Sequence, residues 1–225
     1  MEKYYEILLA NPIFAGISRE ELVSMLQCLN ARVTPVSKGS PVFLEGDPAG
    51  FIGIVLEGSV RIVRDDYYGQ RTLLALAEPG DIFAEAYACA GVDTMPVSGY
   101  AAADSRVLLL QSRKMLTVCT NACGFHNRLV QNLLQVVSQK NLLLSSKIRF
   151  MSQKTTRDKL MAYLLDQAKG RGSAEFTISL DRQGLADFLG VERSAMSAEL
   201  SKLRRDGILE TTGSHFRILQ TRPSL

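Results

Sequence analysis

Two histidines and four cysteines are all that the 225 residues contain, and this scarcity removes several chemistries. A metal enzyme on a β-barrel, such as a cupin-like oxygenase, needs converging His and carboxylate ligands. His126 falls on a predicted long helix and His215 in a C-terminal hairpin, so neither can line a barrel. The chain reads as a non-enzyme without a metal or resident cofactor. Cys28, Cys89, Cys119 and Cys123 lack the spacing of a disulfide framework, and buried free thiols are the default expectation. Only Cys119 and Cys123, at i, i+4, could share a helix face and respond to oxidants. No run approaches the ~18 apolar residues of a membrane span, and MEKYYEILLANPIF lacks the basic segment and apolar core of a signal peptide. A cytoplasmic protein with no membrane partner is expected. Net charge is only +3; residues 1–150 hold 14 basic and 14 acidic side chains, whereas 151–225 hold 12 and 9. The surplus lies in the C-terminal third, where a nucleic-acid face would need it.

What is present there is DRQGLADFLGVERSAMSAELSKLRRDGILE, residues 181–210. Leu185, Ala186, Phe188 and Leu189 form one apolar face, and Met196, Leu200 and Leu203 form another, each at helical spacing. Leu189-Gly190-Val191 between them supplies a sharp turn, so the stretch reads as a helix-turn-helix. Arg193, Ser194, Ser197, Ala198 and Lys202 are left outward on the second helix, and short polar side chains with a guanidinium suit base edges and phosphates. An ordinary helical hairpin has the same apolar pattern. A short strand at Phe176–Leu180 precedes the motif, and Ile208–Leu219, centred on Gly213-Ser214, reads as a hairpin that would complete a winged helix.

Residues 32–112 have a different character: short β-rich runs such as Phe51–Leu56, Ser59–Arg64, Arg71–Leu76 and Arg106–Leu110, punctuated by Gly and Pro, as in a sandwich or barrel. Residues 18–30 precede them as a helix opened by Ser18 and Glu21 in a capping box. A long helix follows from about Asn121 to Met151. Val130, Leu134, Val137, Asn141, Leu144, Ile148 and Met151 repeat at alternating four and three, and Leu129, Leu133, Val136 and Leu143 form a second stripe beside them. Two stripes let one helix pack on its own domain and on a partner, so Val130, Leu134, Val137, Asn141, Leu144 and Ile148 are the expected homodimer interface. A helix buried inside a monomer is the alternative. Asn141 would set register and pairing. Lys147 to Thr156 breaks the pattern before a helix at Arg157–Lys169 and reads as an interdomain hinge.

The order of β-rich domain, long helix and winged helix-turn-helix resembles the CRP/FNR family of bacterial transcription regulators. LEGSVRI at 56–62, PGDIFAE at 79–85, MPVSGYAAADSRVLLL at 95–110 and the helix-turn-helix carry the match, which covers nearly the whole chain. The resemblance implies an α+β architecture with an antiparallel β-roll at 1–120, a dimerisation helix at 121–151 and a winged helix-turn-helix at 152–225. It implies a homodimer on palindromic double-stranded DNA, with RNA polymerase as a further partner. Base reading would fall on Arg193, Ser194 and Ser197, with Lys202 on the same face, and phosphate contacts on Arg182 and Gln183. Ala198 and Gly184 depart from the family, which carries a long basic and an acidic residue there.

The effector expectation also comes from the resemblance. An Arg-Ser pair neutralises the cyclic phosphate in cyclic-AMP binders of the family, and Met95 and Pro96 occupy those positions here. Neither can pair with a buried anion, and Asp81 and Glu85 would repel it. The expected effector is therefore an uncharged or aromatic molecule between roll and helix, touching Gly80, Asp81, Phe83, Glu85, Met95, Pro96, Val97, Asn141 and Ser145, with rotation about Phe150–Gln153 as the response. A constitutive regulator with an empty-handed roll is the alternative; a cavity beside Phe83, Met95 and Val97 would argue for a ligand, and a packed interior against one.

Overall fold

The computed structural model describes residues 1–68, 70–116 and 124–219, so the expectation for Cys119 and Cys123 lies outside the described residues. The chain divides into two compact units, Met1–Gln139 and Lys140–Leu225.

The first unit opens with short helix α1 (Tyr5–Leu9) and α2 (Arg19–Cys28). The Ser18 hydroxyl accepts from the Glu21 amide and the Glu21 carboxylate accepts from the Ser18 amide, the expected capping box. Eight strands then make two antiparallel four-stranded sheets. They are β1 (Arg32–Val36), β2 (Pro41–Phe43), β3 (Phe51–Glu57), β4 (Val60–Asp65), β5 (Arg71–Ala77), β6 (Ile82–Phe83), β7 (Ser98–Ala101) and β8 (Ser105–Gln111). One sheet has the order β1-β8-β3-β6 and the other β2-β7-β4-β5, so strands distant in sequence pair, as in a roll. Proline survives in β1 and β2 because both are edge strands, where a missing amide donor breaks no ladder. Gly58, at φ +77, allows the β3–β4 turn to press on β8; a Cβ there would lie 2.3 Å from Ser105 Oγ. Between β6 and β7 lies α3 (Glu85–Ala90), and α4 (Ser112–Leu116) follows β8. The expectation of buried thiols is corrected here: Cys28 at the end of α2 and Cys89 on α3 are exposed, because each points away from the apolar side of a short helix.

Helix α5 (Gly124–Met151) runs across the division between the units. In the first unit Leu129 and Leu133 are buried with Leu8, Phe14 and Leu22, and Val136 and Val137 pack partly against that cluster. Asn132 Nδ2 donates to the carbonyls of Ile13 and Ala15 at 3.1 and 2.9 Å. Of the second stripe Leu129, Leu133 and Val136 thus meet the first unit, but Leu143 is 70 % exposed and Val137 of the first stripe also packs on that unit, so the two stripes do not divide as expected. Leu134, Leu144 and Ile148 are 67, 60 and 67 % exposed. Asn141 is exposed as well, and Val130 is half-buried.

The second unit adds α6 (Thr156–Arg171), β9 (Glu175–Thr177), α7 (Arg182–Leu189), α8 (Arg193–Arg205), β10 (Leu209–Thr212) and β11 (His215–Ile218). Thr155 caps α6 through the Asp158 amide. The three strands form one antiparallel sheet, β10-β11-β9. Phe150, expected at a hinge, is instead buried, 5.6 Å from the ring of Tyr163 and 6.3 Å from that of Phe188. Its side chain finds more apolar surface in the C-terminal core than a hinge would offer, and burial there pushes the Tyr163 phenol up.

Candidate nucleic-acid interface

The helix-turn-helix is built as its apolar spacing requires. Leu185, Ala186 and Leu189 of α7 and Met196, Leu200 and Leu203 of α8 are buried in one cluster with Phe216 of β11. Gly190 takes the left-handed conformation at φ +60, which an L side chain rarely adopts, so glycine answers a backbone requirement of the turn. Asp181 caps α7 by accepting from the Gly184 amide at 2.7 Å. A Cβ on residue 184 would sit 3.2 Å from that carboxylate, so a larger residue there would need Asp181 to shift by a few tenths of an ångström.

With one face of α8 buried, Arg193, Ser194, Ser197, Ala198 and Lys202 are exposed. Their commitments differ. Arg193 has no hydrogen-bond or ion-pair partner among the described residues and keeps its whole fork. The Ser194 hydroxyl donates to Glu192, whose carboxylate also accepts from the Ala195 amide at 3.0 Å and caps α8. Lys202 Nζ is paired with Glu199 at 2.8 Å. Gln183 Nε2 donates to Asp187 Oδ1 at 2.8 Å along α7. Arg182 is half-buried: its Nη2 donates to Thr211 Oγ1 of β10 at 2.8 Å, and its Cζ lies 5.1 Å from the centre of the Phe216 ring. Burial draws that guanidinium's pKa down. Arg204 and Arg205 were not singled out from sequence, yet with Ala198, Ser201 and Lys202 they line a shallow groove of about 610 Å³ on α8. Three basic residues within four positions were the available signal.

The predicted effector residues fall in both units. In the roll, Phe83, Glu85, Met95 and Val97 are buried, Asp81 and Pro96 are exposed and Gly80 is half-buried; in the second unit Asn141 and Ser145 are exposed on α5. The Asp81 carboxylate accepts from the Glu78 amide at 2.9 Å, closing its own turn. The interior beside Phe83 is occupied by side chains. Phe83 and Phe43 stack with centres 6.1 Å apart, and Phe51 meets both edge-on at 6.5 and 5.6 Å. Gly53 and Gly99 give these rings their space, since a Cβ would come within 2.1 Å of Phe83 and 2.3 Å of Phe43. Met95 is 1 % exposed within this cluster. Ala84, before buried Glu85, holds φ +64, a conformation that costs an alanine about 1 to 2 kcal/mol. His126 is a satisfied core histidine, its Nε2 3.0 Å from the Met115 carbonyl, and no group of three metal-ligating side chains occurs among the described residues. No helix among them is long and apolar enough to cross a membrane.

Residues 33–122 match the cyclic nucleotide-binding domain family, and residues 158–222 match the Crp-like helix-turn-helix domain. The chain is 25 % identical to the nitrogen fixation regulation protein FixK of Azorhizobium caulinodans, over 93 % of this chain and 85 % of that protein. It is likewise 25 % identical to the cyclic AMP receptor protein of Thermus thermophilus, over 88 % of each. The solved structure of CprK in complex with OCPA superimposes with a TM-score of 0.64 at 16 % identity, covering 90 % of each chain, a likeness of fold alone.

Proposed function

The chain belongs to the CRP/FNR family of DNA-binding transcription regulators, and from that premise we propose a cytoplasmic, non-enzymatic homodimer that reads palindromic DNA and takes no cyclic nucleotide in its roll. Residues 1–120 form the roll, 121–151 pair the two copies and 152–225 bind DNA beside RNA polymerase. The uncommitted Arg193 fork on the outward face of α8 is the observation that carries this reading. Ser197 offers a second outward contact, and Ser194 acts together with the Glu192 that holds its hydroxyl. Two such helices match half-sites about 34 Å apart.

Dimerisation is supported by the exposed Leu134, Leu144 and Ile148, with Asn141 on the same stripe setting register; Val130 and Val137 of that stripe are half-buried and add less to it. In the roll, Met95 and Pro96 offer a cyclic phosphate neither charge nor donor, and the rings of Phe43 and Phe83 fill the interior. These residues favour a roll that is a structural core, holding the dimer without an effector. A second reading, regulation by an uncharged or aromatic effector, is favoured by the strained Ala84 beside buried Glu85, since strain and buried acids gather at sites.

Two measurements test these statements. Band shifts on palindromes selected from random duplex should show Arg193→Ala binding about 5- to 150-fold more weakly, the value of one bidentate base contact. Equal affinity for every palindrome would remove Arg193 from base reading. Thermal-shift screening against metabolites and cyclic nucleotides separates the roll readings, because a ligand of the folded state raises its stability. Stabilisation by a cyclic nucleotide contradicts both, stabilisation by another molecule selects the effector, and none selects the structural core.

A further inference from the structure

The segment that enters α7 is strapped to the wing. The Ile178 amide donates to the Ser214 carbonyl at 3.0 Å, and Ser214 Oγ donates to the Leu180 carbonyl at 3.0 Å. Arg182 completes the strap through Thr211 Oγ1 at 2.8 Å, with its guanidinium over the Phe216 ring. Its other terminal nitrogen, Nη1, is screened from solvent and has no hydrogen-bond partner among the described residues. A guanidinium that neutralises a phosphate must offer its fork to the outside. This one donates to the wing through Nη2, lies over a wing ring and keeps Nη1 from solvent.

We propose that Arg182 is a positioning residue that fixes the β10–β11 wing against α7, so that α8 and the wing meet DNA in one set arrangement, and that it is not a phosphate contact. The role rests on the DNA-binding reading above. It also explains the choice of arginine at the first position of α7. A lysine could supply charge to a phosphate, but it has neither the planar face that lies on Phe216 nor a fork that reaches Thr211 while stacked. The Thr211 hydroxyl is the partner through which Arg182 acts, so the pair must behave as a unit.

The test measures affinity of the full chain for a selected palindrome across a potassium chloride series, with melting curves to confirm that each variant folds. Arg182→Lys, Arg182→Met and Thr211→Val should each bind about five- to tenfold more weakly, the scale of one hydrogen bond, with an unchanged slope of log affinity against log salt. Thr211→Ser keeps the hydroxyl and should bind as the wild type does. The double variant Arg182→Met/Thr211→Val should be no weaker than Arg182→Met alone. A phosphate contact gives a different pattern: the slope falls by about 0.9 in Arg182→Met, while Arg182→Lys and Thr211→Val bind normally. That pattern overturns the proposal. If substitution of Arg182 unfolds the protein, Thr211→Val against Thr211→Ser decides alone, and equal binding of the two overturns it. A wild type without salt-dependent binding to any duplex refutes the DNA reading itself, before any variant is made, and the positioning role with it.

Discussion

Glu192 occupies the N-cap of α8, where Ser, Thr, Asp or Asn is usual. The Ser194 hydroxyl, and after it the amides of Ala195 and Ser194, hold its carboxyl below the usual carboxylate range. Because the folded value is the depressed one, the contribution to stability is present above the unfolded carboxylate pKa of about 4.3 and is lost as pH falls through the folded value. Wild type should therefore melt above Glu192→Gln at neutral pH, by a gap that closes under acid. A gap of constant size from neutral to acid pH would show that the charge contributes nothing to the cap. The same residue marks where sequence reading stops. An outward Ser194 follows from helical period, but that its hydroxyl is held by Glu192 depends on a side-chain rotamer. Arg182 meets the same limit: sequence gives the face from which a long side chain departs, while contacts with Thr211 and Phe216 hold its end in this structure.

Among elements, α5 was the most legible. Its apolar period runs over 28 residues, and the buried Leu129 and Leu133 lie apart from the exposed Leu144 and Ile148, although Leu143 and Val137 do not keep to the faces their stripes assign them. Among the short elements β1, β6 and α3 were not legible. Strand β1 carries Pro35, which argues against a strand unless its edge position is known; β6 has two residues, and α3 begins at a left-handed alanine. The exposed stripe carries a prediction at this scale. Ile148→Glu should weaken self-association by about 10- to 100-fold, the worth of one buried aliphatic side chain, as seen in sedimentation velocity. Unchanged association would place the dimer contact elsewhere.

At the scale of the whole molecule, charge and core composition divide the work. The surplus of basic over acidic side chains lies in residues 151–225, so affinity for duplex should come from that part and should be screened by salt. With six to ten phosphate contacts, binding should fall by about 10³- to 10⁵-fold between 50 and 200 mM salt. A nearly flat response in fluorescence anisotropy would mean that few phosphates are engaged. The winged helix was legible because its caps, glycine turn and apolar faces agree locally. The roll's interior was not, because Phe43 and Phe83 are 40 positions apart in sequence and meet only after β2 and β6 join different sheets. With Phe83 lying on the bare backbone of Gly53 and Phe43 on that of Gly99, a guest between these two rings would have to displace one of them. A version of the fold that senses a small molecule there would begin with a hole, not a hydrogen bond, and would lose stability before it gained a ligand.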